Sequence, residues 1–413
     1  MRLPFKPFVL FAFLLLAPGL AFAASFEGRR GIGMNLWETW PQESEWGDGS
    51  KLFPFPEWRR HVGVHELRSL KADGFDFIRM TIDPAVLLSV KARSHVGEML
   101  EDVREAADLA VEAGLGVIVN LHTIPSGSVR SVGTGEIIGD EAVFERYLVL
   151  VRDIGRVLYG VDPAKVALEP FNEPIAACAG DEAALWAKRQ KAVFAAARAS
   201  ATRLTLVLTG ACWGSAEGLA ALDPAEFPDD NLLWSFHSYA PFILTHQGAG
   251  WTGDIMPFVT GLPYPPHGAN AGKRDAALAA IRNRVRAEAP FMRRNGILGF
   301  IDNEMAAIDA KEKLAANMAA PFEAVRAWAA QHGIDSGDIL LGEFGMIRQE
   351  WQNPFTVPAA ERAAYYSDMI ALAGKHGFRW SMWSYGGAFG VVEEFDRRAA
   401  ESDVRKVVRG LGK

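Results

Sequence analysis

Two apolar runs in this chain end in a carboxylic acid. The stretch Val166-Ala167-Leu168-Glu169-Pro170-Phe171-Asn172-Glu173-Pro174 reads as a short buried strand that stops in Asn-Glu-Pro, and Ile339-Leu340-Leu341-Gly342-Glu343-Phe344-Gly345 reads as a second that ends at Glu343. Taken alone, Asn-Glu-Pro is equally an ordinary turn, in which Asn accepts a left-handed backbone and Pro ends the strand. Two strand ends with carboxyl groups become a working pair if the fold brings them together, one to donate a proton and one to attack or to take a proton up. Further polar or amphipathic residues fall at or just past the ends of apolar runs: Asn35, Arg79, His122, Asn172, His237, Tyr239 and Trp383. Any one of them is more often structural; the whole set describes a single mouth.

The elements that must position this set alternate in type. Strands are expected at 31–36, 75–82, 116–122, 165–172, 204–209, 232–237, 339–343 and 378–382. Helical periodicity covers 61–72, 101–113, 141–158, 182–202, 359–375 and 403–409, while 126–139 reads as a Gly- and Ser-rich loop. Eight strands alternating with helices predict an α/β fold, the (β/α)8 TIM barrel, in which the C-terminal strand tips converge on one mouth. A doubly wound sheet is the alternative, but no Gly-rich phosphate loop follows any strand. Residues 240–338 are too many for a connection. An aromatic loop holding Trp251, Phe258 and Tyr264, then two or three helices over about 273–332, is expected there, as a long insertion after strand 6 of one domain spanning 24–413.

Of 413 residues, 49% are hydrophobic and 23% charged, the balance of a globular protein with a sizeable core. Lys plus Arg number 43 against 50 Asp plus Glu, and the net charge of −7 leaves no basic footprint for nucleic acid. Residues 1–23 read as an export signal: Arg2 and Lys6 precede the apolar run 8–16, and Ala21-Phe22-Ala23 has the small-x-small form of a cleavage site. The run is too short for a comfortable membrane span. A mature chain without a span, secreted or periplasmic, is expected. Cys178 and Cys212 then have two readings, one disulfide or two unpaired buried thiols.

The set Arg79, His122, Asn172-Glu173-Pro174, His237-Ser238-Tyr239, Gly342-Glu343-Phe344-Gly345 and Trp383 resembles the active-site pattern of glycoside hydrolase family 5, the cellulase family, and falls in that family's order from Gly31 to about Gly390. The resemblance implies a TIM barrel, a retaining glycosidase of EC class 3.2.1, Glu173 as the acid/base and Glu343 as the nucleophile, with no cofactor and no metal. The chemistry of the residues agrees. Retention needs two carboxyl groups roughly 5 Å apart, one protonated and one ionised at the same pH. Arg79 and a donor such as Tyr239 suit an ionised Glu343. Asn172 fits as donor to a sugar 2-hydroxyl, with His122 and His237 around the same sugar and Trp383 as its apolar floor. Asn35, Trp37, Trp40, Trp213 and Trp251 are candidates for further subsites, although core packing explains each tryptophan equally well. Glu169, four residues before Glu173 and so on the same strand face, is placed to orient Arg79 from behind. Asp83 and Glu38 are loop candidates for substrate hydroxyls.

The expected partner is a polysaccharide or oligosaccharide, most simply a β-1,4-linked glucan as for an endo-β-1,4-glucanase, with internal or end-wise cleavage set by how residues 240–338 fold over the barrel. β-Mannan, β-1,3-glucan and bacterial exopolysaccharides fit the same site. Two other classes remain: a non-catalytic carbohydrate-binding barrel, against which both glutamates stand, and a metal-dependent barrel hydrolase with His122 and His237 as ligands, for which no H-x-H pair is present. A monomer is expected.

Overall fold

Strands buried on both faces require nearly continuous apolar sequence, and the short runs identified above meet that requirement along their whole length. A computed structural model describes residues 24–34, 42–53, 62–127 and 130–411. Residues 1–23, where an export signal is expected, and Asn35, Trp37, Glu38 and Trp40 lie outside the described residues. Eight parallel strands, β1 (Arg30–Gly33), β2 (Phe77–Ile82), β3 (Gly116–Leu121), β4 (Val166–Glu169), β5 (Thr205–Thr209), β6 (Leu232–His237), β7 (Ile339–Phe344) and β8 (Arg379–Met382), pair in sequence order, and β8 returns to β1. The fold is the closed TIM barrel that the alternation predicts.

The outer ring consists of α1 (Val64–Asp73), α2 (Val96–Glu112), α3 (Glu141–Val157), α4 (Asp181–Ser200), α5 (Ala216–Ala220), α6 (Ala271–Glu288), α7 (Arg294–Ala306), α8 (Lys311–His332), α9 (Ala359–His376) and α10 (Asp403–Gly410). In α3 the Asp140 carboxylate caps the helix by accepting from the Val143 N–H, and Phe144, Tyr147, Leu148, Val151 and Ile154 recur at helical spacing to form the buried face. The segment between β6 and β7 folds into a short helix (Phe242–Thr245), several 3-10 turns and the three helices α6 to α8.

Three expectations shift. The fourth strand stops at Glu169 rather than at residue 172, because Pro170 has no N–H to give the ladder. Asn172 and Glu173 therefore lie on the loop beyond β4, and the period-two argument that put Glu169 and Glu173 on one strand face does not apply. Inside the expected loop 126–139, Thr134–Gly139 is helical; the Glu136 carboxylate accepts from the Gly133 N–H, a cap that Gly- and Ser-rich composition conceals.

The barrel interior has two chemically distinct layers. Phe77, Ile118, Ala167, Val207, Leu233 and Leu340, one from each of β2 to β7, cluster with Phe26 as an apolar plug near the strand starts. Two residues further along, on the same inward face, stand Arg79, Asn120, Glu169, Thr209, Ser235 and Gly342. The barrel thus turns polar in one step toward the C-terminal mouth, where six apolar side chains below supply a dry floor.

Candidate active site

Arg79 is the centre of that polar layer. It is the third residue of β2, not at the strand tip where the sequence pattern put it, and its long side chain reaches up to the mouth. Fully buried, it donates from Nε and Nη2 to the two oxygens of Glu169 at 2.6 and 3.0 Å, from Nη2 to Asn172 Oδ1 at 2.7 Å, and from Nη1 to Glu343 Oε1 at 2.5 Å. Burial works against the charged guanidinium, but Glu169 and Glu343 outweigh it and raise its pKa further. The fork of Glu169 fixes the plane of the guanidinium, so the free edge can only aim at Glu343. Glu169 is therefore the orienting residue the sequence suggested, acting from strand β4 across the barrel.

Glu343 reaches the mouth through a β-bulge. Phe236 pairs with Leu341 but His237 pairs with Glu343, so Gly342 is the extra residue in β7. A Cβ at Gly342 would lie 2.4 Å from Ser235 Oγ and 2.9 Å from His237 Nε2, which only glycine avoids. The second oxygen of Glu343 accepts from the Tyr239 hydroxyl at 2.8 Å. Burial, then the charge of Glu343, pushes the Tyr239 phenol well above its ordinary pKa, which keeps it a donor. A guanidinium thus donates to one oxygen of Glu343 and a phenol to the other.

Glu173 sits in a different setting. Its side chain is 25% exposed against 5% for Glu343, and among the described residues it is bonded to His237, Nδ1 to Oε1 at 2.7 Å. His237 Nδ1 is also 3.8 Å from Glu343. Burial acts to lower the His237 pKa, but the charge of Glu343 and the bond to Glu173 hold it above its usual value. One oxygen of each glutamate and a ring nitrogen of His237 lie within 4.8 Å of one another. Such a trio is a donor set a hard cation can use, but both oxygens of Glu343 and Nδ1 of His237 already have partners. His122, the other histidine a metal reading would need, is outside this trio. Its Nδ1 faces Asn120 Oδ1 at 3.0 Å, its ring stacks on Trp383 at 5.2 Å, and burial pulls its pKa down to about 3.

Trp383, just past β8, lines the cleft, and its carbonyl accepts from the Tyr366 hydroxyl at 2.7 Å. Gly33 on β1 makes room for it: a Cβ there would come within 2.5 Å of the indole. The cleft, about 1830 Å³, runs from His122 and Trp383 past both glutamates to a wall formed by α5 and α8. Trp213 and Trp251 stand on it, 50% and 56% exposed, so neither is a core residue. Cys178 and Cys212 form a disulfide on the same lip. Next to it Cys212 and Trp213 both adopt left-handed backbone, φ 58° and 57°. The Trp213 N–H donates to Pro174 O at 3.0 Å and that of Cys212 to Ala176 O at 3.1 Å, which ties the loop after β5 to the Asn-Glu-Pro loop.

Asp83 does not face the cleft as a substrate ligand: it is buried, caps Ala85 N at 3.0 Å and pairs with Arg130. Sequence reasoning also missed a part of the rim, His246 with Phe242 stacked 4.0 Å away and Phe389 at 5.3 Å. None of these three ends a strand, so strand-tip reading had no means to find them.

A parallel barrel with two facing glutamates at its C-terminal mouth defines a class of hydrolytic TIM-barrel sites. The chain matches the model of the cellulase family, glycosyl hydrolase family 5, over residues 53–389, and it belongs to that family. Endoglucanase C of Acetivibrio thermocellus is 23% identical over 224 residues, 53% of this chain and 62% of that protein. Cellodextrinase A of Ruminococcus flavefaciens is 28% identical over 204 residues, 48% and 56% of the two chains. This chain thus spans about three fifths of the length of the relatives it matches. Among solved structures, Thermotoga maritima Cel5A in complex with cellobiose superposes with a TM-score of 0.64 at 18% identity, covering 92% of this chain and 97% of that one. Subunit Z of the Clostridioides difficile cellulose synthase does so at 0.62 and 18%, covering 92% and 99%. At these identities the superpositions speak for the fold.

Proposed function

We propose that the protein is an exported retaining glycoside hydrolase that cuts a β-linked glucan internally, most simply a β-1,4-glucan. The observation that carries this reading is the spacing and inequality of the two glutamates. Oxygens within 4.8 Å suit direct attack by one carboxylate, whereas inversion needs roughly 6.5–9.5 Å to seat a water. Glu343, held between Arg79 and Tyr239, is the nucleophile; Glu173, open to the cleft and bonded to His237, is the acid/base. In the first step Glu343 attacks the anomeric carbon, the C1–O bond to the leaving sugar breaks, and the proton of Glu173 goes to the departing oxygen. In the second step the Glu173 carboxylate takes a proton from water, whose oxygen displaces Glu343 from C1. Arg79 stays in place throughout because its other edge is fixed by Glu169. His237, within reach of both glutamates, takes up the change in charge as the proton leaves Glu173 and returns.

Trp383 suits the floor under the cleaved sugar, and Asn172, held by Arg79, suits its 2-hydroxyl. Relatives named endoglucanase and cellodextrinase, and a structural neighbour solved with cellobiose, support a β-glucan; another structure of that neighbour holds mannotriose, which keeps β-mannan as the second substrate to test. Export is supported by the basic and apolar pattern of residues 1–23 and by the disulfide, which belongs to an oxidising compartment. The test is proton NMR of the first products released from β-1,4-glucan, β-1,3-glucan and β-mannan, with excess chelator added in a parallel series. Initial release of the β-anomer, unaffected by chelator and absent in Glu343→Gln, is expected. Initial release of the α-anomer overturns retention, and loss of activity in chelator restores the metal reading.

A further inference from the structure

The mechanism above uses the half of the cleft nearest Trp383 and leaves the other half without a role. That second half starts at Trp213. Its backbone is bonded to Pro174, and a Cβ at neighbouring Gly214 would lie 3.8 Å from Glu173 Cγ, so it stands beside the acid/base. The sugar that receives the Glu173 proton is the leaving sugar. Trp213 and the surface beyond it therefore lie on the leaving-group side.

That surface belongs to the segment between β6 and β7 and to the helix it packs on. α5 rests against α8, and their exposed junction presents Ala220, Ala221, Ala320, Pro321 and Ala324 to the cleft. Small side chains in a row leave a groove rather than a ridge, and Trp213 and Trp251 supply flat apolar faces at its near end. Its charge is one-sided. Outside the two catalytic candidates, the charged side chains among the described lining residues are Glu217 on α5 and Glu304 on α7. No Lys or Arg is among them. This is not for want of basic residues nearby, because residues 240–338 contain ten Lys and Arg. None of these ten lines the cleft, and several are paired elsewhere: Arg282 with Asp302, Arg293 with Asp254, Lys313 with Asp309 and Arg326 with Glu323. Neither Glu217 nor Glu304 has such a partner among the described contacts.

We propose that the β6–β7 segment and α5 form a leaving-group-side binding groove for an uncharged β-linked chain, and that Glu217 and Glu304 are specificity-determining residues that turn away chains bearing carboxylates. This rests on the glycosidase reading for the side that Trp213 occupies. The physical basis is differential affinity: an uncharged chain stacks on Trp213 and Trp251 and passes the alanines, whereas a carboxylated one brings negative charge to a wall with two carboxylates and no cation. Both glutamates are near solvent, so the repulsion is screened by salt within about 8 Å at physiological ionic strength.

The experiment compares hydroxyethyl and carboxymethyl forms of one β-1,4-glucan, at matched substitution, in low salt and in high salt. Wild type and the double variant Glu217→Gln/Glu304→Gln are assayed for kcat/KM, and binding of uncharged and carboxylated oligosaccharides is measured by calorimetry in Glu343→Gln. The expected result is a preference of at least about fivefold for the uncharged chain in low salt, narrowing in high salt and in the double variant. A ratio near one, or a preference that neither salt nor the double variant moves, overturns the proposal. If wild type hydrolyses neither polymer, the glycosidase reading fails, and the calorimetric ratio still decides whether the groove discriminates by charge.

Discussion

The floor and the wall of this cleft are built on opposite plans. The floor, from Arg79 to Glu169, Asn172 and Glu343, is buried, charged and rich in hydrogen bonds, and strands β2, β4 and β7 with the loop after β4 supply it. The wall, from Trp213 through α5 and α8, is exposed, bears the carboxylates of Glu217 and Glu304 with no Lys or Arg among the described lining residues, and is carried by a loop and the long β6–β7 segment. On the floor each group fixes its neighbour, so one substitution leaves an ion without its counter-ion. On the wall side chains meet solvent and act one at a time. The candidate catalytic groups thus stand where the barrel is buried, and the proposed groove where sequence can change at little cost to the fold.

The sharpest break of this comparison is at the chemistry itself. Glu343→Gln is expected to lower kcat on a soluble β-glucan by at least about a thousandfold, while calorimetry shows the chain still bound. Next, Arg79→Met strips the buried Glu169 of the guanidinium that satisfies both its oxygens. A loss of about 3–5 kcal/mol in urea unfolding is expected, against less than about 0.5 kcal/mol for Glu304→Gln on the wall. Equal losses would erase the distinction between floor and wall. On the wall, Trp213→Ala should raise KM about tenfold with kcat changed less than twofold and the melting temperature intact, the signature of a platform that holds ground state and transition state alike.

The smallest effect concerns the histidines of the mouth. Burial holds His122 and His246 neutral in the folded chain, each with its pKa pulled to about 3, whereas the unfolded chain protonates them near pH 6.5. Below that pH the unfolded state binds more protons, so stability falls as pH drops from about 6.5 toward 3. His237 works in the other direction: its folded pKa is raised by Glu343 and Glu173 against the effect of burial, so its contribution is complete below about pH 6.5 and is lost as pH climbs through the raised value. Melting temperatures from about pH 4 to about pH 9 should show His246→Gln flattening the acid arm and His237→Asn flattening the alkaline arm.

The barrel was legible because parallel strands are short, apolar and bounded by turn residues, and its mouth because polar groups follow those runs. Glu173, Glu343, His237 and Tyr239 all announce themselves in that way. Arg79 departs from that pattern: it sits inside β2 and acts at the tip only through its length. The bulge at Gly342, which sets the aim of Glu343, depends on register between β6 and β7 and has no one-strand signature. The disulfide was one of two open readings, since pairing depends on how two loops meet. His246, Phe242 and Phe389 come together from segments with no common pattern, and the electrostatic character of the wall emerges only once helix faces are assigned.

At the opposite pole, the backbone around Phe26 closes the barrel from below. The Ala24 N–H donates to Asp338, next to the start of β7, at 3.2 Å, and the Phe26 and Gly28 carbonyls both accept from Arg379. Ala24 therefore lies on the face turned away from the glutamates. Tethered to a bead or a cell surface through that end, the molecule presents its cleft outward, free to meet a polymer too large to diffuse.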